Sequence, residues 1–292
     1  TTEIYTLSLH DALPIFWDAH IHFYHWSASL SQVQLSGCRS ARDVLDELAR
    51  VCETSAPFQW IRGWGWNETY WEPPATLTRQ LLDEITGPDR PCVLWRADMH
   101  TAAVNTAALL HANLMDQESE IEGGVIERDS HGDPTGILRE LAVNRVLDLL
   151  PSPSAAELDS AFLAGAEELH RFGVTGICDQ RMKDRDDGPR ALAGFARCNR
   201  RGQLKLRVSC NIAAHNLALL EALGVTSNLG DERLRLGHVK IFCDGTLGSR
   251  TARMLEPFVG QSDHGIYLTP IEQIREEVER AVELGFPVSI HA

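Results

Sequence analysis

Residues 16–23 read FWDAHIHF, with two histidines one residue apart and an aspartate two positions before the first. Side chains alternate along a strand, so the spacing predicts His20 and His22 on one face with Asp18 beside them. Two imidazoles at i and i+2 at a strand end can grip one ion, and imidazole suits zinc, copper, iron or nickel. The same pattern also arises by chance in strands that bind nothing, so it needs support elsewhere. Lys240 lies in LGHVKIFCDGTLGSR, flanked by Val, Ile and Phe. A charged ammonium is costly to bury there. Either its stem packs while its head reaches solvent, or chemistry removes the charge. Reaction with CO2 does so, giving a carbamate whose oxygens can bridge two metals. His291 ends the run PVSIH, at the kind of strand tip where barrel enzymes place catalytic groups. A lone histidine can equally be structural. His100, in LWRADMH, is a weaker candidate for lining a pocket. Asp244 and Arg250 flank the Gly-rich turn after Lys240, where the Asp-Gly pair can instead serve turn chemistry. The remaining histidines, His25 among them, have no partner pattern in the sequence, and the tryptophans read as packing.

Composition sets outer bounds. A chain of 292 residues with 43% hydrophobic and 23% charged residues fits a globular protein. The net charge of -14 argues against nucleic acid and against an anionic membrane, both of which call for basic surfaces. There is no apolar run long enough for a membrane helix. The seven cysteines form no CxxC pair and point to a reducing, cytoplasmic compartment. A small-molecule substrate is the expected partner, and a homo-oligomer is allowed. Residues 1–16 lack a signal peptide's basic start and long apolar core. TEIYTLSLHDALPI resembles translated sequencing-adapter read-through, so this segment reads as a non-native leader. PVSIHA stops in what reads as a buried strand; the expectation is truncation at both ends.

The elements that must position these residues follow a repeating grammar of cap, amphipathic helix, glycine and apolar strand. Ser154-Ala155-Ala156-Glu157 is a capping box. Leu158, Phe162, Ala166 and Leu169 give an apolar stripe, Gly173 suits the C′ position, and VTGICD follows as a strand. Thr269-Pro270-Ile271-Glu272 predicts a second helix with Pro270 as its first residue, leading to PVSIH. A helix near 190–201 precedes LKLRVSCNI, and GHVKIFCDG is a further strand. Near-continuous apolar strands alternating with helices predict a parallel sheet covered on both faces, doubly wound or a (β/α) barrel. Residues 58–150, rich in Trp, Gly and Pro, read as an inserted subdomain. It has a short helix near 77–86 and a hairpin turning at Gly-Asp-Pro between VIERD and GILRE.

WDAHIHF resembles the D-x-H-x-H signature of the metal-dependent amidohydrolase superfamily. RGWGWNETYW, PCVLWRADMHTAAVNTAAL, GDPTGILRE, GVTGICD, VKIFCDGTLGSRTARMLEPF and PVSIHA resemble, in order, its amidohydrolase-3 (YtcJ-like) branch. The resemblance implies an α/β fold: a partial (β/α)8 TIM barrel of its first five strands, with an inserted α+β subdomain. It divides the chain into a leader (1–16), the first barrel strand and helix (17–57), the insertion (58–150) and the continuing barrel (151–292). It implies one or two divalent metals, usually zinc, and hydrolysis of non-peptide C–N bonds by activated water. His20 and His22 match the first-strand ligands, Lys240 the lysine carboxylated in many members, and His291 the fifth-strand ligand. The sixth-strand histidine and eighth-strand aspartate, the expected base, have no counterpart before Ala292. The chain then reads as an inactive fragment of an amidohydrolase with an open sheet edge. Two alternatives stay open: a hydrolase of esters or other electrophiles, and a non-catalytic or small-molecule-binding barrel relic.

Overall fold

The computed structural model describes residues 16–56, 58–116, 120–183, 185, 187–260 and 262–292. The suspected leader lies outside the described residues except for Phe16, which opens the first strand and pairs with Val174. In chain order the elements are β1 (Phe16–Ile21), α1 (Phe23–Ser29), β2 (Val33–Gln34), α2 (Ala41–Thr54), β3 (Ile61–Trp66) and α3 (Arg79–Thr86). Next come β4 (Cys92–Arg96), β5 (Thr101–Val104), α4 (Thr106–His111), β6 (Gly124–Arg128), β7 (Pro134–Glu140) and α5 (Leu141–Leu147). The chain continues through α6 (Ala155–Arg171), β8 (Val174–Asp179), α7 (Asp187–Arg200), β9 (Arg207–Ala213) and α8 (Leu217–Leu223). It ends with β10 (Leu234–Phe242), α9 (Ile271–Glu283) and β11 (Val288–His291).

Among the described residues these strands form two sheets. One is parallel throughout, in the order β1-β8-β9-β10-β11. That is chain order, as expected for successive barrel strands. β1 and β11 stand at opposite edges, yet His20 on β1 lies within electrostatic reach of Lys240 and His291. The sheet is therefore curled into a half-barrel. The local signals hold where they are strongest. Ser154 and Glu157 cap each other's backbone at the start of α6, and Gly173 beyond its end takes φ +76, in the left-handed region that glycine enters freely. The stripe Leu158, Phe162, Ala166 and Leu169 packs with Phe23 of α1 and Phe195 of α7 in one core. The helix near 271 starts one residue later than expected. Pro270 is its N-cap rather than its first residue; its extended ψ of 145 keeps it outside the helix while its carbonyl accepts from the Ile274 N–H at 3.0 Å.

The second sheet has the order β2-β3-β4-β5-β7-β6 and is mixed. It is built from chain that lies between β1 and β8, which pair directly. β6 and β7 form the antiparallel hairpin read from VIERD and GILRE. α2 also belongs here, although it precedes residue 58: Val44, Leu48 and Cys52 pack with Ile61, Leu82 and Leu94. The Ser40–Asp43 capping box fixes that helix start. Gly136 shows how tight the layer is. Its φ is +102, and a Cβ there would lie 2.6 Å from the Val104 carbonyl oxygen and 2.8 Å from the Arg79 nitrogen. Both obstacles are backbone and cannot swing aside. Gly136→Ala is expected to cost about 3 kcal/mol, combining left-handed strain with overpacking. A denaturant titration should show a lower midpoint at unchanged slope.

Candidate active site

The site begins where β1 ends. The strand stops at Ile21 with an irregular register after Asp18. His22 therefore sits just past the strand as the N-cap of α1, with φ -90 and ψ 64. The expected alternation does not place the pair: the chain turns into a helix directly, because Phe23 must reach the core under α6. The Asp18 carboxylate accepts from the His20 backbone N–H at 2.9 Å, and the two imidazoles still meet, centroids 5.8 Å apart. Burial holds both below the usual histidine range; Lys240 adds to the effect at each. Both rings are thus neutral, the form that ligates. His22 Nδ1 is buried without a hydrogen-bond partner.

Across the half-barrel, Lys240 and Phe242 share one face of β10, and Phe242 pairs with His291 of β11. The Lys240 ammonium is buried and has no hydrogen-bond partner. It lies 4.7 Å from the centre of the Phe242 ring, and burial lowers its pKa to about 8. The snorkelling alternative is excluded by that burial. The His291 ring stacks on Phe242, centroids 5.5 Å apart. Its Nε2–H donates to the Gly245 carbonyl at 2.9 Å. A carbonyl only accepts, so with the imidazole neutral its free lone pair is on Nδ1. Burial lowers the pKa here too.

The second sheet delivers another pair. His100 follows β4, and its Nδ1 lies 2.7 Å from the Glu140 carboxylate at the end of β7. Glu140 is buried, takes a positive φ of 52, and also accepts from the hydroxyls of Ser249 and Thr251. The His100 ring is 5.2 Å from that of His291. His22, His100, Glu140 and Phe242 line one small cavity of about 30 Å³, room for a single water. The sequence reading named His100 but missed Glu140, whose partners are distant in the chain; the buried acid closing the GILRE strand was the available signal. Asp244 is buried and accepts from the Arg253 N–H at 2.6 Å, leaving Oδ1 unpartnered. Arg250 is exposed on the turn at φ 57.

Behind His22 lies a charged cluster that the sequence did not reveal. The Arg181 guanidinium, fully buried, contacts the Asp179 carboxylate and stands 3.7 Å from Asp187. Asp187 also pairs with His25 at 2.9 Å, so His25 does have a partner. Burial pushes Asp187 upward, but Arg181 and the His25 hydrogen bond outweigh it and hold the carboxyl at about 2. Burial pushes Asp179 above the usual carboxylate range against the pull of Arg181.

The fold thus gathers His20, His22, Lys240, His291 and His100 around the carboxyl end of the parallel strands. The donor chemistry suits a divalent ion: neutral imidazoles, one lone pair freed by a backbone hydrogen bond, and two orphaned buried nitrogens, on His22 and Lys240. Among the described residues, however, no three His, Cys, Asp or Glu side chains lie close enough to hold an ion by themselves.

The chain is similar to known proteins over nearly its whole length. The family profile described as "Amidohydrolase family" matches residues 12–292. The chain is 31% identical over 294 aligned residues to "Putative amidohydrolase YtcJ" of Bacillus subtilis, covering 99% of this chain and 55% of that protein. It is 27% identical to an N-substituted formamide deformylase of Arthrobacter pascens, over 99% of this chain and 54% of that one. The crystal structure of an uncharacterized metal-dependent hydrolase from Pyrococcus furiosus superposes with a TM-score of 0.63 at 28% identity. That match covers 95% of this chain and 54% of the other. The chain spans about half the length of the curated relatives it matches. With the strand order, the histidine pair and the profile match in agreement, this chain belongs to the amidohydrolase family.

Proposed function

We propose that this chain supplies the metal-binding part of a hydrolase that cleaves non-peptide C–N bonds of amide type in small molecules. The observation that carries the reading is the buried, unpartnered Lys240 nitrogen facing a ring of neutral histidines. The family membership and the relative named as a formamide deformylase support it. A divalent ion, zinc being one that imidazole suits, supplies Lewis-acid polarisation of the substrate carbonyl and lowers the pKa of water. His20 at the end of β1 and His22 just past it would hold the ion, and His291 would offer Nδ1 from β11. Lys240 reacts as a free amine: its nitrogen bonds to the carbon of CO2, one C=O π bond opens to a carboxylate, and the nitrogen's proton leaves to solvent. The product is an anionic oxygen ligand where a cation would otherwise repel the metal. His100, aligned by Glu140, positions the substrate. Asp244 and Arg250 stand on the turn at the rim. No residue of this chain is assigned the base.

Two measurements test this. The full-length protein carrying this sequence should hydrolyse members of a small amide panel after zinc loading; turnover of esters alone would move the reading to an esterase. Reconstitution with carbon-13 bicarbonate should raise the metal bound per chain and give a carbamate resonance that Lys240→Met lacks. Metal loading indifferent to bicarbonate, with no such resonance, removes Lys240 from the site.

A further inference from the structure

A groove of about 360 Å³ runs along the seam between the half-barrel and the second sheet, within the range of small-ligand pockets. Its wall is aromatic. Trp64 of β3 pairs with Trp95 of β4, and the rings stack with centroids 5.6 Å apart at 25°. Arg62 lies two residues before Trp64, on the same face of β3. Its guanidinium donates to the Pro151 carbonyl at 3.2 Å, and Glu157 acts on it only from a distance. Arg190, on the opposite side, donates to the Tyr24 hydroxyl. The acids of the groove are already engaged: Asp148 with Arg185, and Asp187 with His25 and Arg181. Among the described residues, Arg62 and Arg190 thus keep charge that no carboxylate in the groove neutralises. A cationic, aromatic-walled pocket stands out on a molecule of net charge -14.

Trp95 also lines the small cavity that His22 and His100 share, so a single side chain separates the groove from the candidate active site. We propose that the groove binds a carboxylate carried on a flat, unsaturated or aromatic group: the carboxylate on Arg62 and Arg190, the flat face against Trp64, which Trp95 backs from the core. Arg suits this because its planar fork matches a carboxylate and stacks on aromatics. The groove's use as a substrate subsite rests on the hydrolase reading; the binding does not, and it is tested without turnover.

Benzoate and its neutral analogue benzamide are titrated into the metal-free chain while tryptophan fluorescence is followed. Benzoate should perturb the emission saturably, and added salt should weaken it. Benzamide should bind at least tenfold more weakly. Arg62→Gln should weaken benzoate at least tenfold and leave benzamide unchanged, with Arg62→Lys in between. If Arg62→Gln does not fold, Arg190→Gln and the benzoate–benzamide ratio on the unaltered chain decide. Equal affinity for the two ligands, no saturable benzoate signal, or arginine variants that bind benzoate as the original does would each overturn the proposal. Benzoate binding with no hydrolase activity in the full-length protein would uphold the pocket and sink only the catalytic reading.

Discussion

Replacing His22 by alanine is expected to strip the chain of zinc. His22 carries a buried nitrogen, Nδ1, that has no hydrogen-bond partner. A buried polar atom left unpaired costs about 1–3 kcal/mol, and an ion is the partner its surroundings suit. Loss of a partner one shell further out typically costs ~10–100-fold in metal affinity. Loss of a ligand should cost at least the upper end of that range, about 2.7 kcal/mol. Zinc per chain, measured by mass spectrometry after loading and dialysis, should fall towards zero in His22→Ala and His20→Ala. His25→Ala is the control: its ring is committed to Asp187, and its zinc content should stay near that of the unaltered chain. Equal zinc in His22→Ala and the unaltered chain would remove the strand-end pair from the metal site.

The second large effect is on stability. Arg181 is fully buried between Asp179 and Asp187. Arg181→Met removes the charge that compensates both carboxylates, and breaking a buried ion pair from one side costs about 3–5 kcal/mol. In a chain this long that corresponds to a Tm lower by roughly 6–10 °C. Adding Asp179→Asn and Asp187→Asn should recover much of the loss, because removing the whole set leaves no stranded charge. A melting curve unchanged in Arg181→Met would contradict the burial of the cluster. The pH dependence carries a sign. Asp187 is held at about 2 in the folded state, below the ~3.9 of an unfolded aspartate. Its contribution, about 2–3 kcal/mol, is complete above pH ~5 and lost progressively as pH falls through 2. Asp179 titrates in the opposite sense, so the Asp187 share is read as the difference between the unaltered chain and Asp187→Asn. That difference should shrink between pH 4 and 2.

Much of the half-barrel was legible because its signals are local. The capping box at Ser154, Gly173 after the helix, and the apolar run VTGICD each act over a few residues. Their order along the chain is also the order of β1, β8, β9, β10 and β11 in the sheet. The hairpin at Gly-Asp-Pro was legible for the same reason. The packing of α2 was not, because an amphipathic helix shows which face is apolar but not which sheet that face covers. The place of His22 was not either: a period-two pattern cannot report that the strand ends at Ile21.

The sequence by itself determined the chemistry on offer: two histidines one residue apart, a lysine among apolar neighbours and a histidine closing PVSIH. These are residue types and short spacings, and they survive any arrangement of the elements. Only the tertiary structure decided which of them meet. Curling the parallel sheet brings β1 round to face β10 and β11, so that His20 feels Lys240 and His291. Burial then discharges the histidines and orphans the lysine nitrogen. Strand pairing within the second sheet seats Glu140 against His100 and Arg62 beside the Trp64–Trp95 wall, and α1 meeting the start of α7 seats His25 against Asp187. Those partners come from distant stretches of chain or from neighbouring strands. Nothing in a linear pattern encodes such meetings, because they arise from the pairing and packing of separate elements and not from the propensity of any segment.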